Sequence, residues 1–175
     1  MTLTIVTHNT YWFQGWPSLW GEERQEAHPE ILSALLQLYE RLRPDILCLQ
    51  EIPDPALLAT LEDALHMRGF YAPGGILGAY GGIVLVRGLG AEYEDCAMTE
   101  VIPGRVFERS CIRARIELAG ATLHLVNVHL ASDRYVSERG ETIRLAEIAA
   151  LFRGGLRPDA IVGDFNARSD SLVYR

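Results

Sequence analysis

The sequence predicts an α/β (α+β) layered sandwich in a single domain spanning residues 1–175. Short β-branched runs alternate with helix-length amphipathic stretches. Some strand-like runs follow one another with only turn residues between them, and others are separated by a helix-length crossover. With 175 residues, 49% of them hydrophobic, the chain is long enough to bury one substantial core. No internal repeat or low-complexity tract interrupts the pattern.

Residues 3–7 (LTIVT) read as a first strand. From about Glu26 to Leu42, the residues Ile31, Leu35, Leu38 and Leu42 recur on one helical face, and Pro44 stops the helix. Residues 45–50 (DILCLQ) form a short buried strand, after which Asp54 and Pro55 supply an N-cap and a first-turn proline for a helix through about Met67. Between Gly69 and Gly90 the chain is glycine-rich around a strand at 83–86 (IVLV). Strands are expected at about 94–102, 110–118 and 122–129 as antiparallel neighbours, separated by Pro103-Gly104 and Ala119-Gly120. A second long helix, from about Val136 to Phe152, puts Leu145, Ile148, Ala149 and Phe152 on one face, and 159–163 (DAIVG) is the last strand.

Composition narrows the function classes. Lys and Arg number 16 against 23 Asp and Glu, a net charge of −7, and no basic run offers the footprint of a general nucleic-acid binder. Any nucleic-acid contact is therefore local. Cys48, Cys96 and Cys111 lie far apart without zinc or disulfide-framework spacing, which fits a reduced, cytoplasmic compartment. The start, MTLTIVTHNTYW, lacks the basic-then-apolar pattern of a signal peptide, and no stretch approaches the roughly 18 apolar residues of a membrane span.

Four strand-like runs end on polar groups: LTIVT on His8-Asn9, DILCL on Gln50-Glu51, LHLVNV on His129, and DAIVG on Asp164 and Asn166. Each has a plainer use when taken singly. Asn9 is a turn former, Glu51 a solvated edge residue, His129 a half-buried histidine, and Asp164 with Asn166 an Asx turn. Gathered at one crevice, they make a set of carboxylate, carboxamide and imidazole groups suited to a hard divalent cation and a phosphate. Oxygen donors without thiolates favour Mg²⁺ or Mn²⁺ over zinc. Such a cation neutralises phosphoryl oxygens and orients water, while an imidazole donates a hydrogen bond to developing charge, so phosphoester hydrolysis is the matching reaction.

THN at 7–9, LQE at 49–51, NVHL at 127–130 and GDFN at 163–166 resemble, in order, the motifs of the endonuclease/exonuclease/phosphatase superfamily, across almost the whole chain. The resemblance implies two mixed β-sheets packed face to face with helices on the outer faces. It implies that Glu51 ligates the metal, with Asp164 and Asn166 beside it. Asn9 would support metal and phosphate, His129 would bind phosphoryl oxygens, and Asp164 would orient or deprotonate the nucleophilic water. Arg109, in ERSCIRARI, stands where many relatives carry an arginine. A finer resemblance, HLAS with Arg134 and GDFN followed by Arg168, is to 5′-tyrosyl-DNA phosphodiesterases, and implies that Ser132, Arg134 and Arg168 hold the phosphate and the DNA end. Those enzymes usually carry an acidic residue where this chain has Tyr11.

Superfamily members also continue past GDFN to a final Asp-His pair, which this sequence lacks, so the last strands of the fold are expected to be missing: the chain is expected to be a fragment of a longer enzyme, the alternative being a reduced member whose missing segment is supplied by another chain. The expected partner is a phosphoester, either nucleic acid or a small phosphodiester. A lipid or sugar phosphate is the alternative substrate, and a catalytically inactive fragment or binding domain is the alternative of a different class. Trp12, Trp16 and Trp20 read as an aromatic loop covering a core edge.

Overall fold

The computed structural model describes residues 2–15, 26–133, 140–153 and 157–174. Two four-stranded mixed sheets pack face to face. The first runs in the order β1 (Ile5–Asn9), β2 (Ile46–Ile52), β4 (Gly81–Val86), β3 (Arg68–Ala72), with β1 and β2 parallel and the other pairs antiparallel. The second runs β10 (Ala160–Asp164), β9 (Ala121–His129), β8 (Cys111–Leu118), β5 (Ala91–Asp95), with only β9 and β10 parallel. A short ribbon of β6 (Glu100–Ile102) and β7 (Arg105–Val106) stands apart. Helices α1 (Pro29–Leu42) and α2 (Leu57–Leu65) cover the first sheet, and α3 (Gly140–Leu151) covers the second.

Strand alternation creates three apolar layers. Leu47, Leu49, Ile83 and Leu85 face α1 and α2. Ile46, Cys48, Val84 and Val86 face the second sheet, meeting Ile112, Ala114, Ile116 and Leu125. Cys111, Val126 and Val128 pack outward against Ala150 and Leu151 of α3. The expected sandwich with outer helices is therefore the observed one. The parity also separates the two histidines of β9: His129 shares the inner face with Leu125 and Asn127, while His124 shares the outer face with Val126.

Some expectations need correction. In α1 the covered stripe is Ile31, Leu32, Leu35, Leu36 and Tyr39, and Leu42 is exposed, because the helix starts at Pro29 and its last turn overhangs the sheet. The strand expected at 94–102 is two strands, β5 and β6, with a turn after Asp95 in which the Asp95 side chain accepts the Ala97 N–H. β3 escaped the glycine-rich reading. Gly69 is needed in it because a Cβ there would lie 2.3 Å from the Val84 carbonyl oxygen.

The buried stripe of α3 is Ile143, Arg144, Glu147, Ala150 and Leu151; of the expected face Ile148 does pack against this core, Leu145 is half-buried, and Ala149 and Phe152 are exposed. Two charged residues occupy core-facing positions because the loops below offer unsatisfied main-chain groups. Glu147 accepts the N–H groups of Glu108 (2.9 Å) and Ala131 (2.8 Å), and Arg144 donates to the Ala131 carbonyl (3.1 Å) and to Asp133 (2.8 Å). Arg134, Trp16, Trp20 and the expected start of this helix at Val136 lie outside the described residues.

Candidate active site

The ends of β1, β2, β9 and β10 lie side by side at one end of the sandwich. The register pairs Asn9 with Gln50 and Asp164 with His129, which turns Asn9, Gln50, His129 and Asp164 toward the space between the sheets. Strand alternation alone would point Glu51 away, toward the helices. It is redirected by a β-bulge: pairing shifts between Gln50–Gly82 and Ile52–Gly81, and Glu51 takes a left-handed φ of 57°. A strained backbone at a carboxylate is a feature often found at functional sites.

Asn9 joins the two acids. Its Nδ2 donates to Glu51 Oε1 (3.1 Å) and Asp164 Oδ2 (2.8 Å), and its Oδ1 accepts the Tyr11 N–H (3.0 Å). His129 Nε2 stands 3.8 Å from Glu51 Oε1 and 3.6 Å from Asp164 Oδ2. Asn166, at φ 45°, gives its main-chain N–H to Asp164 Oδ1 (2.9 Å) and its side-chain nitrogen to the Leu130 carbonyl (2.9 Å), tying the Asp164 turn to the end of β9.

Burial sets the electrostatics. It raises the Glu51 carboxyl above its ordinary range; the Asn9 hydrogen bond opposes this, the Asp164 charge adds to it, and Arg109 pulls the other way. His129, 1% exposed, is pushed down to about 3, chiefly by burial and then by Arg109, with Asp164 opposing. The imidazole is therefore neutral at pH 7.

Arg109 is buried. It is 2% exposed and donates to Glu108 Oε1 (2.9 Å), the Leu130 carbonyl (3.1 Å) and Ser132 Oγ (2.9 Å), with its guanidinium 4.8 Å from the centre of the Tyr80 ring. Ser132 is thus held by Arg109. Tyr80 also meets the His129 ring edge to face at 5.9 Å, and Trp12 packs against its other side at 5.0 Å. Trp12 belongs to the turn Tyr11–Phe13, in which all three residues have left-handed φ. Arg168 is solvent-exposed, 3.4 Å from Asp170, and lines a groove of about 560 Å³ with Asn166, Asp133, Glu141 and Arg144.

The structure thus brings Asn9, Glu51, His129 and Asp164 together, sets Asn166, Ser132 and Arg109 directly behind them, and leaves Arg168 on an adjoining groove. Sequence reasoning missed Tyr80, Asn127, Arg144 and Glu147. Only Arg144 and Glu147 carried a signal, charged residues at core spacing with Ile143 and Leu151.

A divalent cation fits this donor set. Glu51 Oε2 is buried without a hydrogen-bond partner among the described residues, an acceptor in need of positive charge. No group of three or more His, Cys, Asp or Glu assembles among those residues. Mg²⁺ does not need one, since it binds through one or two carboxylates and completes its shell with water and substrate phosphate.

A family model described as the Endonuclease/Exonuclease/phosphatase family matches residues 6–175. The chain belongs to this family. Solved structures agree on the fold of this Endonuclease/Exonuclease/phosphatase member. A functionally unknown conserved protein from Enterococcus faecalis superposes with a TM-score of 0.70 at 16% identity, covering 98% of this chain and 70% of that one. Human Nocturnin's catalytic domain with bound sulfate gives 0.69 at 20% identity, covering 98% and 67%. D. rerio TDP2 complexed with single-strand DNA product gives 0.66 at 21% identity, covering 95% and 61%, so this chain spans less than two thirds of that protein. No curated protein sequence matches the chain.

Proposed function

We propose that this chain is a Mg²⁺- or Mn²⁺-dependent phosphodiester hydrolase acting on nucleic-acid ends, with 5′-phosphotyrosyl DNA as one candidate substrate. The observation that carries the reading is the Glu51–Asn9–Asp164 bridge with the neutral His129 nitrogen facing both acids. Family membership supplies the reaction class, and the fold shared with a DNA-product complex of TDP2 favours a nucleic-acid substrate.

Glu51 would hold the cation, with Asp164 and Asn166 as further oxygen donors by their motif. When bound, the metal neutralises phosphoryl oxygen charge and makes water more acidic. Asp164, half-open to solvent, orients the attacking water and takes its proton as the new P–O bond forms and the ester P–O bond breaks. His129 Nε2–H donates to a phosphoryl oxygen, a hydrogen bond that strengthens as charge builds up. Asn9 keeps the two carboxylates in register. Arg109 acts from behind by holding Ser132 toward the substrate, and Arg168 meets the chain beyond the scissile phosphate along its groove, with Arg134 assigned the same role by motif.

The leaving oxygen needs a proton donor. The other histidines are placed elsewhere: His8 bonds Tyr39 on the helix side at 2.7 Å, and His124 lies on the outer face of β9. We propose that a segment carrying the family's Asp-His pair, whether it belongs to the same protein or to another chain, would reach the site along β1 and β10. Both are edge strands among the described residues, and their side chains are more exposed than those of β2 and β4. A cytoplasmic setting suits three free, buried cysteines, and no described helix is long and apolar enough to cross a membrane.

The test is hydrolysis of bis-p-nitrophenyl phosphate and of a 5′-phosphotyrosyl oligonucleotide with Mn²⁺, alone and with an Asp-His-containing family member as partner, each against Asp164→Ala. Metal-dependent turnover lost in the variant supports the reading. A correctly folded chain that binds no Mn²⁺ and hydrolyses neither substrate in either condition overturns it.

A further inference from the structure

Between His129 and the core lies a residue with no part in the reading so far. The β8–β9 ladder pairs Cys111 with Val128, and the His129 N–H bonds to the Ser110 carbonyl at 2.9 Å, so Ser110 stands directly opposite His129. Directly opposed residues of an antiparallel pair project to the same face, with Cβ atoms about 5 Å apart. That face is the inner one. Ser110 is 1% exposed, and a Cβ added to Gly82 of β4 would lie 2.7 Å from its hydroxyl oxygen. A glycine at 82 is thus what gives this hydroxyl its room between the sheets.

These two opposed residues each carry an orphaned polar atom, and no hydrogen bond joins the two in the structure. Ser110 Oγ and His129 Nδ1 are both buried without a hydrogen-bond partner among the described residues. The neighbouring amides of the inner face are satisfied: Gln50 donates to Asn127 Oδ1 at 2.7 Å, and Asn127 donates to the carbonyls of Leu49 and Ile83, each at 3.1 Å. Buried polar groups left unpaired are uncommon, so an adjacent pair calls for a cause.

The other side of the ring supplies one. Nε2 faces the oxygens of Asp164 and Glu51 at 3.6 and 3.8 Å. A lone pair directed at two carboxylates is repelled, whereas an N–H is attracted, so the proton of a neutral ring belongs on Nε2 and Nδ1 becomes an acceptor. The serine hydroxyl is a rotatable donor on the same strand-pair face.

We propose that Ser110 is a positioning residue: turned toward the ring it faces across the ladder, its hydroxyl donates to His129 Nδ1, which locks the imidazole in the Nε2–H tautomer and aims that N–H at the phosphoryl oxygen. Gly82 serves the same end by leaving space for the hydroxyl. The inference rests on His129 acting as a phosphoryl donor, and it assigns the origin of that donor state to a residue that touches no substrate.

Long-range ¹H–¹⁵N correlation spectra of the ¹⁵N-labelled full chain without metal read the tautomer directly, and need no turnover. Failure of this inference is thereby separable from failure of the hydrolase reading. The wild type is expected to show protonated Nε2 and pyridine-type Nδ1 at His129. Ser110→Ala should give a mixture of tautomers, and Ser110→Thr, which keeps the hydroxyl, should restore the wild-type pattern. With turnover measurable, Ser110→Ala should lower kcat about tenfold with KM little changed. An Nδ1–H tautomer in the wild type, or the same tautomer in wild type and Ser110→Ala, overturns the proposal.

Discussion

Two polar clusters adjoin at the same end of the sandwich and behave in opposite ways. Gln50 and Asn127 form a closed bolt between the sheets: each is 1% exposed, Gln50 Nε2 is shared among Thr7 Oγ1, the Cys48 carbonyl and Asn127 Oδ1, and Asn127 Nδ2 donates to the Leu49 and Ile83 carbonyls. Glu51 follows at the next position of β2 and His129 two positions on in β9, both buried, yet each keeps a buried atom without a partner among the described residues. A satisfied network makes a core rigid and unique, whereas an unsatisfied one is retained where a ligand completes it. The first cluster holds the sheets in register so that the second can stay incomplete.

The largest effect should come from emptying the open cluster. Asp164→Ala should reduce metal-dependent phosphodiester hydrolysis by about 10²- to 10⁴-fold. Glu51→Gln should also lose activity, but its melting temperature should hold or rise, because burial already disfavours the charged carboxylate. Steady-state kinetics and thermal melts on the same samples check both.

Breaking the closed cluster should do the reverse. Asn127→Ala strands the Leu49 and Ile83 carbonyls, at about 1–3 kcal/mol for each orphaned group, and urea denaturation should show it. The folded fraction should keep more of its activity than Asp164→Ala does.

A smaller effect separates the clusters by pH. His129 titrates at about 3 when folded and near 6.5 when unfolded, so between these values the unfolded chain binds more protons. Its contribution is present above about pH 6.5 and is lost as pH falls toward 3, at up to about 1.4 kcal/mol per pH unit. His129→Gln should flatten the stability profile across that window, whereas Asn127→Ala should shift it down without changing its slope. Smallest of all, Arg168→Ala should change stability by less than about 0.5 kcal/mol while raising KM for an oligonucleotide and weakening its salt dependence.

The difference between the clusters also marks what a sequence reader can see. THN, LQE, NVHL and GDFN are contiguous, and each ends a strand-like run, so Asn9, Glu51, His129 and Asp164 were legible together with the sandwich that carries them. The bolt was not legible, because Gln50 meets Asn127 only through the packing of two sheets whose strands lie 77 residues apart. The bulge that turns Glu51 inward was hidden for the same reason: it depends on Gly81 and Gly82 of β4. In α3 the expected apolar face kept Ile148 but passed over Arg144 and Glu147, which bind the loops that carry Ser132 and Arg109. Local patterns report elements, while satisfaction of buried groups is settled across the core.

The central claim is that the open cluster is open for a metal. The most direct measurement is a Mn²⁺ titration of the full chain followed by NMR, reading the His129 and Asn127 side-chain signals in wild type and Glu51→Gln. The account predicts selective paramagnetic broadening of His129 before Asn127 in the wild type, abolished by Glu51→Gln. Absence of broadening in the wild type, or equal broadening in both proteins, would contradict it.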